Sequence, residues 1–161
     1  MNMVNPSANK IILGSYPGLV SNLRSEYYSH PNNSFWTLLN IPTKDKDDNK
    51  ISYIEKIKRL AEKDIGVWDV LSACSRLDKN NKETSLDKNI SLQQYNNLEK
   101  LINKDLYFNG QTAFKEFSKI VKQQNLSFDL DKLQKHVLPS SSGLYRNNLD
   151  KRKEIWNNFF N

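Results

Sequence analysis

Hydroxyl and amide side chains cluster after an apolar run near the start of the chain. Residues 11–13 (Ile-Ile-Leu) stop at residues 14–18 (Gly-Ser-Tyr-Pro-Gly), and residues 27–34 then supply two tyrosines, a histidine, paired asparagines and serines. Such side chains can donate and accept hydrogen bonds, so they could bind a polar ligand or hold a water molecule. An apolar run that ends in this way is typical of a buried strand that delivers a loop to the edge of a sheet. We therefore predict a polar pocket built from these two loops.

The remaining reactive residues exclude several classes of site. The sequence contains neither a glycine-rich phosphate loop followed by Lys-Ser/Thr nor a dinucleotide-binding fingerprint. Its single cysteine, Cys74, and its two distant histidines, His30 and His136, exclude an internal disulfide, a multi-cysteine zinc site and the zinc-deaminase pattern. Cys74 is better interpreted as a small core residue than as a nucleophile. Asparagine, tyrosine, serine and one carboxylate are left as the candidate groups.

Apolar strands that alternate with amphipathic helices have to position these groups. The pattern predicts an α/β fold in a single domain spanning residues 1–161, with a parallel sheet covered by helices on both faces. The predicted strands are residues 10–15, 65–71, 105–108 and 136–138, and the predicted helices are residues 20–26, 33–40, 51–63, 92–102, 113–121 and 149–160. Ligands of such folds bind beyond the carboxyl ends of the strands. Four segments should therefore converge on one edge of the sheet, namely those after Leu13, around Asp69, at Asn109 and after Leu138.

The basic charge is concentrated toward the end of the chain. The net charge is +6, and residues 110–153 carry nine Lys and Arg residues against four Asp and Glu residues. Such a patch fits a polyanion, although an ordinary solvated lysine-rich surface explains the charge equally well. No apolar run reaches membrane-spanning length, and residues 1–6 lack a signal pattern. We therefore expect a cytoplasmic protein, or a nuclear one in a eukaryotic host.

An ordered set of short segments carries a resemblance to a known family. These segments are Gly-Ser-Tyr-Pro-Gly at 14–18, Tyr-Ser-His-Pro-Asn-Asn-Ser-Phe-Trp at 28–36, Gly-Val-Trp-Asp-Val-Leu at 66–71, Phe-Asn-Gly at 108–110 and Leu-Pro-Ser-Ser-Ser at 138–142. Together they resemble the uracil-DNA glycosylase superfamily, most closely its hypoxanthine-DNA, or deoxyinosine, glycosylase branch, which is related to the mismatch-specific uracil/thymine-DNA glycosylases. The resemblance implies a three-layer α/β/α sandwich with a central four-stranded parallel sheet. It also implies a monomer that acts on DNA containing a deaminated base, without a metal or other cofactor.

The resemblance assigns the second loop to base recognition and catalysis. Tyr28 matches the aromatic residue on which the flipped base stacks, with a core tyrosine as the alternative. Asn33 matches the functional asparagine of the deoxyinosine branch, and its alternative role is to cap the helix that follows. The two roles of Asn33 are compatible, because a cap fixes the side chain while its amide contacts a base.

The first loop departs from the family pattern at Tyr16. The mismatch-specific enzymes place a water-orienting asparagine at this position, and the classical uracil enzymes use an aspartate in this loop. Asn33 therefore becomes the first candidate for water activation. Asp69 either accepts a hydrogen bond from the base or assists proton transfer, or it is a buried acid that pairs with a loop amide. Ser15 either lines the base site or holds the water. Base contacts are expected from Tyr16, Pro17, Gly18 and Asn109.

The last motif is expected to contact DNA around the flipped nucleotide. The resemblance assigns phosphate contacts to Ser140, Ser141, Ser142 and Arg146, and a wedge into the vacated base stack to Leu144 or Tyr145. An ordinary polar turn is the alternative for the serine run. Leu138 precedes the proline where classical uracil enzymes carry a histidine and mismatch-specific enzymes an asparagine, so strong uracil excision is not expected.

These expectations define a monofunctional DNA glycosylase that hydrolyses the N-glycosidic bond of a flipped hypoxanthine, xanthine or uracil. No lysine falls in the matched pocket segments, so Schiff-base lyase chemistry is not expected, and the product should be an intact strand with an abasic site. Two alternatives stay open. One is a glycosylase fold that only binds nucleic acid, and the other is a non-DNA hydrolase or a partner-binding α/β module.

Overall fold

The computed structural model describes residues 1–74, 93–143 and 148–160. Its strands are β1 (Lys10–Gly14), β2 (Ile65–Asp69), β3 (Leu71–Cys74), β4 (Gln93–Tyr95), β5 (Asp105–Asn109) and β6 (Val137–Leu138). Its helices are α1 (Leu19–Arg24), α2 (Phe35–Leu38), α3 (Tyr53–Glu62), α4 (Gln111–Gln123), α5 (Leu130–Gln134) and α6 (Leu149–Phe160), with a 3-10 turn at Leu98–Leu101. None of the described helices has the length and apolar character needed to cross a membrane.

A four-stranded parallel sheet in the order β2-β1-β5-β6 forms the centre of the fold. Gly14 of β1 lies opposite Asp69 of β2, and Asn109 of β5 lies opposite Leu138 of β6. Because the strands are parallel, these registers bring their carboxyl ends to one edge of the sheet. The predicted central sheet of four parallel strands is confirmed.

Helices cover both faces of this sheet, because β1 is apolar on both sides. Ile11, Ile12 and Leu13 are fully buried, and successive side chains of a strand point to opposite faces. Ile11 and Leu13 share an apolar cluster with Phe117 of α4, whereas Ile12 shares one with Trp156 of α6. The predicted three-layer α/β/α sandwich is therefore confirmed.

The helix predicted for residues 92–102 is wrong in its first half. β4 pairs antiparallel with β3 in a separate two-stranded sheet, and only the 3-10 turn follows it. Leu71, predicted as the end of the second strand, instead begins β3. The short helix α5 lies in a segment for which the sequence predicts no element.

Two asparagines explain why the helical pattern fails there. The Asn96 side-chain amide donates to the Asp69 carbonyl over 2.7 Å, and Asn97 Oδ1 accepts from the Glu99 backbone N–H over 3.0 Å. Asparagine side chains that bond the backbone in this way compete with helix formation. The chain therefore leaves β4 in an extended conformation before it turns.

Gly66 in β2 shows how closely the sheet is packed. A Cβ atom at this position would lie 2.6 Å from Ile11 Cδ1 and 2.7 Å from the Asn5 carbonyl oxygen. Overpacking of this kind costs roughly 1–3 kcal/mol, so Gly66→Ala should lower the free energy of unfolding in urea by about that amount. Gly18→Ala is the control, because a Cβ atom at Gly18 meets no atom within 4 Å. Equal stabilities of the two variants would contradict this packing.

Candidate active site

A cavity of about 580 Å³ opens at the carboxyl edge of the sheet, between the segments that follow β1, β2, β5 and β6. Its volume lies within the range of small-ligand sites. The predicted convergence of these segments is therefore confirmed. Eleven predicted site residues line the cavity, namely Ser15, Tyr16, Pro17, Gly18, Tyr28, Asn33, Asp69, Asn109, Ser140, Ser141 and Ser142. The predicted DNA contacts Leu144, Tyr145 and Arg146 lie outside the described residues.

The approach of two polar side chains at the end of β1 depends on a glycine. Gly14 lies opposite Asp69, whose side chain is buried. A Cβ atom on Gly14 would overlap Asp69 Oδ1 and would lie 3.2 Å from the Tyr28 hydroxyl. Only a residue without a side chain therefore lets the carboxylate and the phenol meet at this point.

Two phenols lie close to the Asp69 carboxylate. Tyr27 is buried in the core, and Tyr28 is half-buried. Burial is the main cause that raises the pKa of both tyrosines far above its ordinary value, and the negative charge of Asp69 raises each pKa further. The Asn109 side chain offsets part of this effect on the pKa of Tyr28. Both phenols therefore stay protonated and can donate a hydrogen bond well into the alkaline range.

Tyr28 is held against the ring of Phe35. The two rings stack with their centroids 3.8 Å apart and an angle of 15° between their planes. Phe35 in turn meets the Trp156 ring edge to face, with the centroids 5.7 Å apart. Phe35 thus fixes one face of the Tyr28 ring, while Tyr28 also lines the cavity.

Asn33 combines a structural bond with a position in the cavity wall. Its Oδ1 accepts a hydrogen bond of 2.9 Å from the Phe35 backbone N–H, the first of α2. This bond performs the capping role expected of Asn33, although Ser34 occupies the N-cap position itself. Among the described residues the Asn33 side chain has no other partner. Its amide N–H groups and the second lone pair of Oδ1 are therefore available to a ligand or to water.

The serine loop, residues 139–143, is fixed to β5 by a reciprocal pair of hydrogen bonds. Asn109 Nδ2 donates to Ser141 Oγ, and the Ser141 backbone N–H donates to Asn109 Oδ1, both over 2.8 Å. Ser141 is fully buried, and its carbonyl accepts from the Ser34 N–H over 2.9 Å. Ser141 therefore fixes the loop in this structure, and its contact with a phosphate stays a prediction. Asn109 therefore positions this loop with both its amino group and its carbonyl oxygen, and its contact with a base stays a prediction.

Sequence reasoning missed one residue of α6 that holds the same loop. Arg152 Nη1 donates to the Ser140 carbonyl over 2.9 Å, and Trp156 Nε1 donates to the Pro139 carbonyl over 3.0 Å. Residues 152 and 156 lie one helical turn apart and therefore share a face of the helix. The aromatic Trp156 on this face was the available sequence signal that Arg152 also points inward.

The cavity presents neutral hydrogen-bonding groups around one carboxylate, that of Asp69. Metal sites in proteins need several carboxylate, imidazole or thiolate ligands on one ion. Within the described ranges, no three side chains of His, Cys, Asp or Glu are grouped so that they could hold a metal ion. The arrangement suits an uncharged organic group held by stacking and hydrogen bonds.

Comparison with known proteins identifies the family. A family model described as the uracil DNA glycosylase superfamily matches residues 1–160. The chain belongs to the uracil DNA glycosylase superfamily. It is accordingly a DNA glycosylase, and the resemblance carried by its sequence motifs is confirmed.

This glycosylase is similar to proteins of Methanosarcina along nearly its whole length. The hypoxanthine DNA glycosylase of Methanosarcina barkeri is 31% identical over 156 residues, which cover 96% of this chain and 91% of the relative. The hypoxanthine DNA glycosylase of Methanosarcina acetivorans is 31% identical over 155 residues, which cover 93% of this chain and 89% of the relative. A solution NMR structure of a candidate uracil DNA glycosylase from Methanosarcina acetivorans matches with a TM-score of 0.68 and 28% identity, covering 99% of this chain and 93% of that chain. The similarity therefore extends across the whole α/β/α sandwich.

The glycosylase departs from uracil-specific motifs at a buried position. Leu138, directly before Pro139, is buried in the apolar cluster that includes Trp156. This position therefore cannot present a polar group to a departing base. Weak uracil excision stays a prediction, and the buried leucine is its structural reason.

The raised pKa values of Tyr27 and Tyr28 predict a loss of stability in alkaline solution. A group whose pKa is higher in the folded than in the unfolded protein stabilises the fold fully below its unfolded pKa, and that contribution is lost as the pH rises further. The free energy of unfolding should therefore fall above about pH 10, by up to roughly 1.4 kcal/mol per pH unit for each shifted tyrosine. Tyr27→Phe should reduce this slope in urea denaturation. A slope identical to that of the wild type would contradict the environment assigned to Tyr27.

Proposed function

We propose that this DNA glycosylase removes a deaminated base, namely hypoxanthine, xanthine or uracil, by hydrolysis of the N-glycosidic bond in base-excision repair, and that it prefers hypoxanthine to uracil. The observation that carries the proposal is the arrangement around Phe35. Its ring stacks on Tyr28 at 3.8 Å, and its backbone N–H holds Asn33 Oδ1 at 2.9 Å. An aromatic surface and an amide are thereby fixed in the wall of one cavity. The names of the two Methanosarcina relatives support hypoxanthine as the base.

Recognition of a flipped base would use both of these groups. The base stacks on the face of the Tyr28 ring that Phe35 does not cover, and stacking of this kind contributes about 1–3 kcal/mol per base. The Asn33 amide and the backbone N–H groups of residues 16 and 18 donate to acceptors on the edge of the base. Deamination of adenine replaces an amino donor by a carbonyl acceptor. Donor groups in the cavity therefore favour the deaminated base over adenine.

Bond cleavage needs stabilisation of the sugar and a positioned water molecule. Departure of the base leaves positive charge on the sugar ring, and the buried carboxylate of Asp69 supplies a negative charge in a region of low dielectric. The second lone pair of Asn33 Oδ1 accepts from the attacking water. That water needs little activation as a nucleophile, because the bond to the base is already largely broken when it attacks. Ser15 lines the same cavity and can hold the water from another side.

The glycosylase is further proposed to act as a monomer that lacks lyase activity. The monomeric state is what the resemblance to the family implies, and none of the described residues that line the cavity is a lysine. Schiff-base formation with the sugar needs a primary amine close to the reacting carbon. The product would be an abasic site in an unbroken strand.

A base-excision panel tests the proposed substrate. Duplex and single-stranded oligonucleotides that carry hypoxanthine, xanthine or uracil are incubated with the wild-type protein, and abasic sites are measured as strand breaks after alkali. We expect a higher kcat/KM for hypoxanthine than for uracil, because Leu138 offers no polar group to the departing uracil. Excision of none of the three bases would overturn the proposal.

Asn33→Ala tests the central residue of the mechanism. The substitution should lower kcat for hypoxanthine excision about 100-fold or more, because it removes an oriented polar group from the reacting centre. It also removes the bond to the Phe35 N–H, at a cost of about 0.5–2 kcal/mol in stability. Asn97→Ala is the matched control, since Asn97 Oδ1 makes the same kind of bond, to the Glu99 N–H, outside the cavity. Full activity of Asn33→Ala, or an equal loss in both variants, would overturn the assignment.

Sodium borohydride distinguishes hydrolysis from lyase chemistry. Borohydride reduces a Schiff base between protein and DNA to a stable adduct, which migrates slowly on a denaturing gel. We expect no adduct during turnover and an unbroken strand until alkali is added, because the described cavity lining contains no lysine. A trapped adduct would show that the enzyme is bifunctional.

A further inference from the structure

The guanidinium of Arg152 is a buried positive charge behind the serine loop. Arg152 is 6% exposed, and in the part of the chain that the structure describes no carboxylate forms an ion pair with it. Its Nε is also buried without a hydrogen-bond partner there. A buried charge that lacks a counter-charge is costly to a folded protein. A negatively charged ligand close to Arg152 would therefore offset the cost of burying its guanidinium.

Arg152 also connects the two loops that border the cavity. Its Nη1 donates to the Ser140 carbonyl over 2.9 Å, and its Nη2 donates to the Ser34 hydroxyl over 3.4 Å. Ser34 follows Asn33 directly, and its backbone N–H donates to the Ser141 carbonyl over 2.9 Å. One side chain of α6 therefore bonds both loops, in addition to the direct backbone hydrogen bond between Ser34 and Ser141.

The serine loop places hydroxyl groups between this charge and the cavity. Ser140 and Ser142 line the cavity and are half-buried. Ser140 Oγ accepts from the Ser142 backbone N–H over 3.2 Å, which leaves the hydroxyl proton of Ser140 for another acceptor. Hydroxyl donors and a nearby positive charge are groups that bind phosphate oxygens in DNA complexes.

We propose that Arg152 is a positioning residue that supplies the counter-charge for a DNA phosphate bound by the serine loop, and that its bridge couples this phosphate to the placement of Asn33. The inference rests on DNA being the ligand of the cavity, as proposed above. Phosphate binding compensates the charge of Arg152 through the loop. The bridge from Ser140 to Ser34 then keeps Asn33 at the distance that hydrolysis requires.

Two substitutions separate the charge of Arg152 from its bridge. Arg152→Gln removes the charge, whereas Arg152→Lys keeps the charge but replaces the planar fork by a single ammonium that cannot span both loops. Lys122→Gln is the control for charge, because Lys122 is exposed near the end of α4 and does not line the cavity. For each variant we would measure Kd, at several concentrations of potassium chloride, for a duplex with a tetrahydrofuran abasic-site analogue. We would also measure kcat and KM on a hypoxanthine duplex.

The salt dependence of DNA binding should depend on the charge of Arg152, and kcat should depend on the hydrogen bonds by which Arg152 connects Ser140 to Ser34. Arg152→Gln should reduce the slope of log Kd against log salt concentration by about one, because one positive charge no longer compensates a phosphate. Arg152→Lys and Lys122→Gln should keep the wild-type slope. Arg152→Lys should nevertheless lower kcat about tenfold with little change in KM, because Asn33 is displaced while the charge remains.

Each part of the proposal has an outcome that overturns it. A wild-type salt slope in Arg152→Gln would contradict the proposed counter-charge role of Arg152. A wild-type kcat in Arg152→Lys would contradict the proposed coupling of the serine loop to Asn33. Should Arg152→Gln fail to fold, Arg152→Met takes its place in the slope measurement, because it also removes the charge while keeping a long side chain at this buried position. Failure of the proposed function has a different signature. In that case the wild-type protein itself excises no base and binds the analogue duplex no more tightly than undamaged DNA.

Discussion

The stacking of Tyr28 on Phe35 is the contact on which the rest of the site depends. Phe35 is fully buried, its ring fixes the Tyr28 ring at 3.8 Å, and its backbone N–H fixes Asn33. Trp156 of α6 packs against Phe35 in an edge-to-face contact. Protein cores are close-packed, so a displacement of any of these rings is transmitted to its neighbours. The geometry of the cavity is thus an extension of the packing of the helical layer beneath it.

Under the proposed function, the charges near this contact match those of a nucleotide that loses its base. Asp69 places a buried negative charge beside the cavity, where a sugar would become positive, and Arg152 places a buried positive charge behind the serine loop, where a phosphate would lie. Burial strengthens both interactions, because the local dielectric constant is lower than in water. The groups between the two charges are neutral amides and hydroxyls, which can bind a base without competing for either charge.

The sheet could be predicted because β1 and its neighbours are short apolar runs with sharp ends, and the rule for parallel strands then brings their following loops together. The partners of individual polar side chains could not be predicted. Asn96 leaves the helical pattern because it finds the Asp69 carbonyl, a group close to it only in the folded sheet. Arg152 sits in a lysine-rich segment typical of a solvated surface, and its burial depends on Ser140 from the preceding loop and on Ser34 from a distant one.

Folding of the chain should be slowed by the strand order β2-β1-β5-β6. Lys10 in the first strand pairs with Ile65 and with Asp105, and its ammonium group donates to the Phe159 carbonyl over 3.3 Å. Contacts between such distant positions require the closure of long loops before any stabilisation is gained, which lowers the rate of folding. Strand β1 lies near the start of the chain, whereas its partners β2 and β5 lie more than 50 residues later in the sequence. The cavity is lined by segments that follow four strands, so its complete wall requires the non-local pairings of the whole sheet.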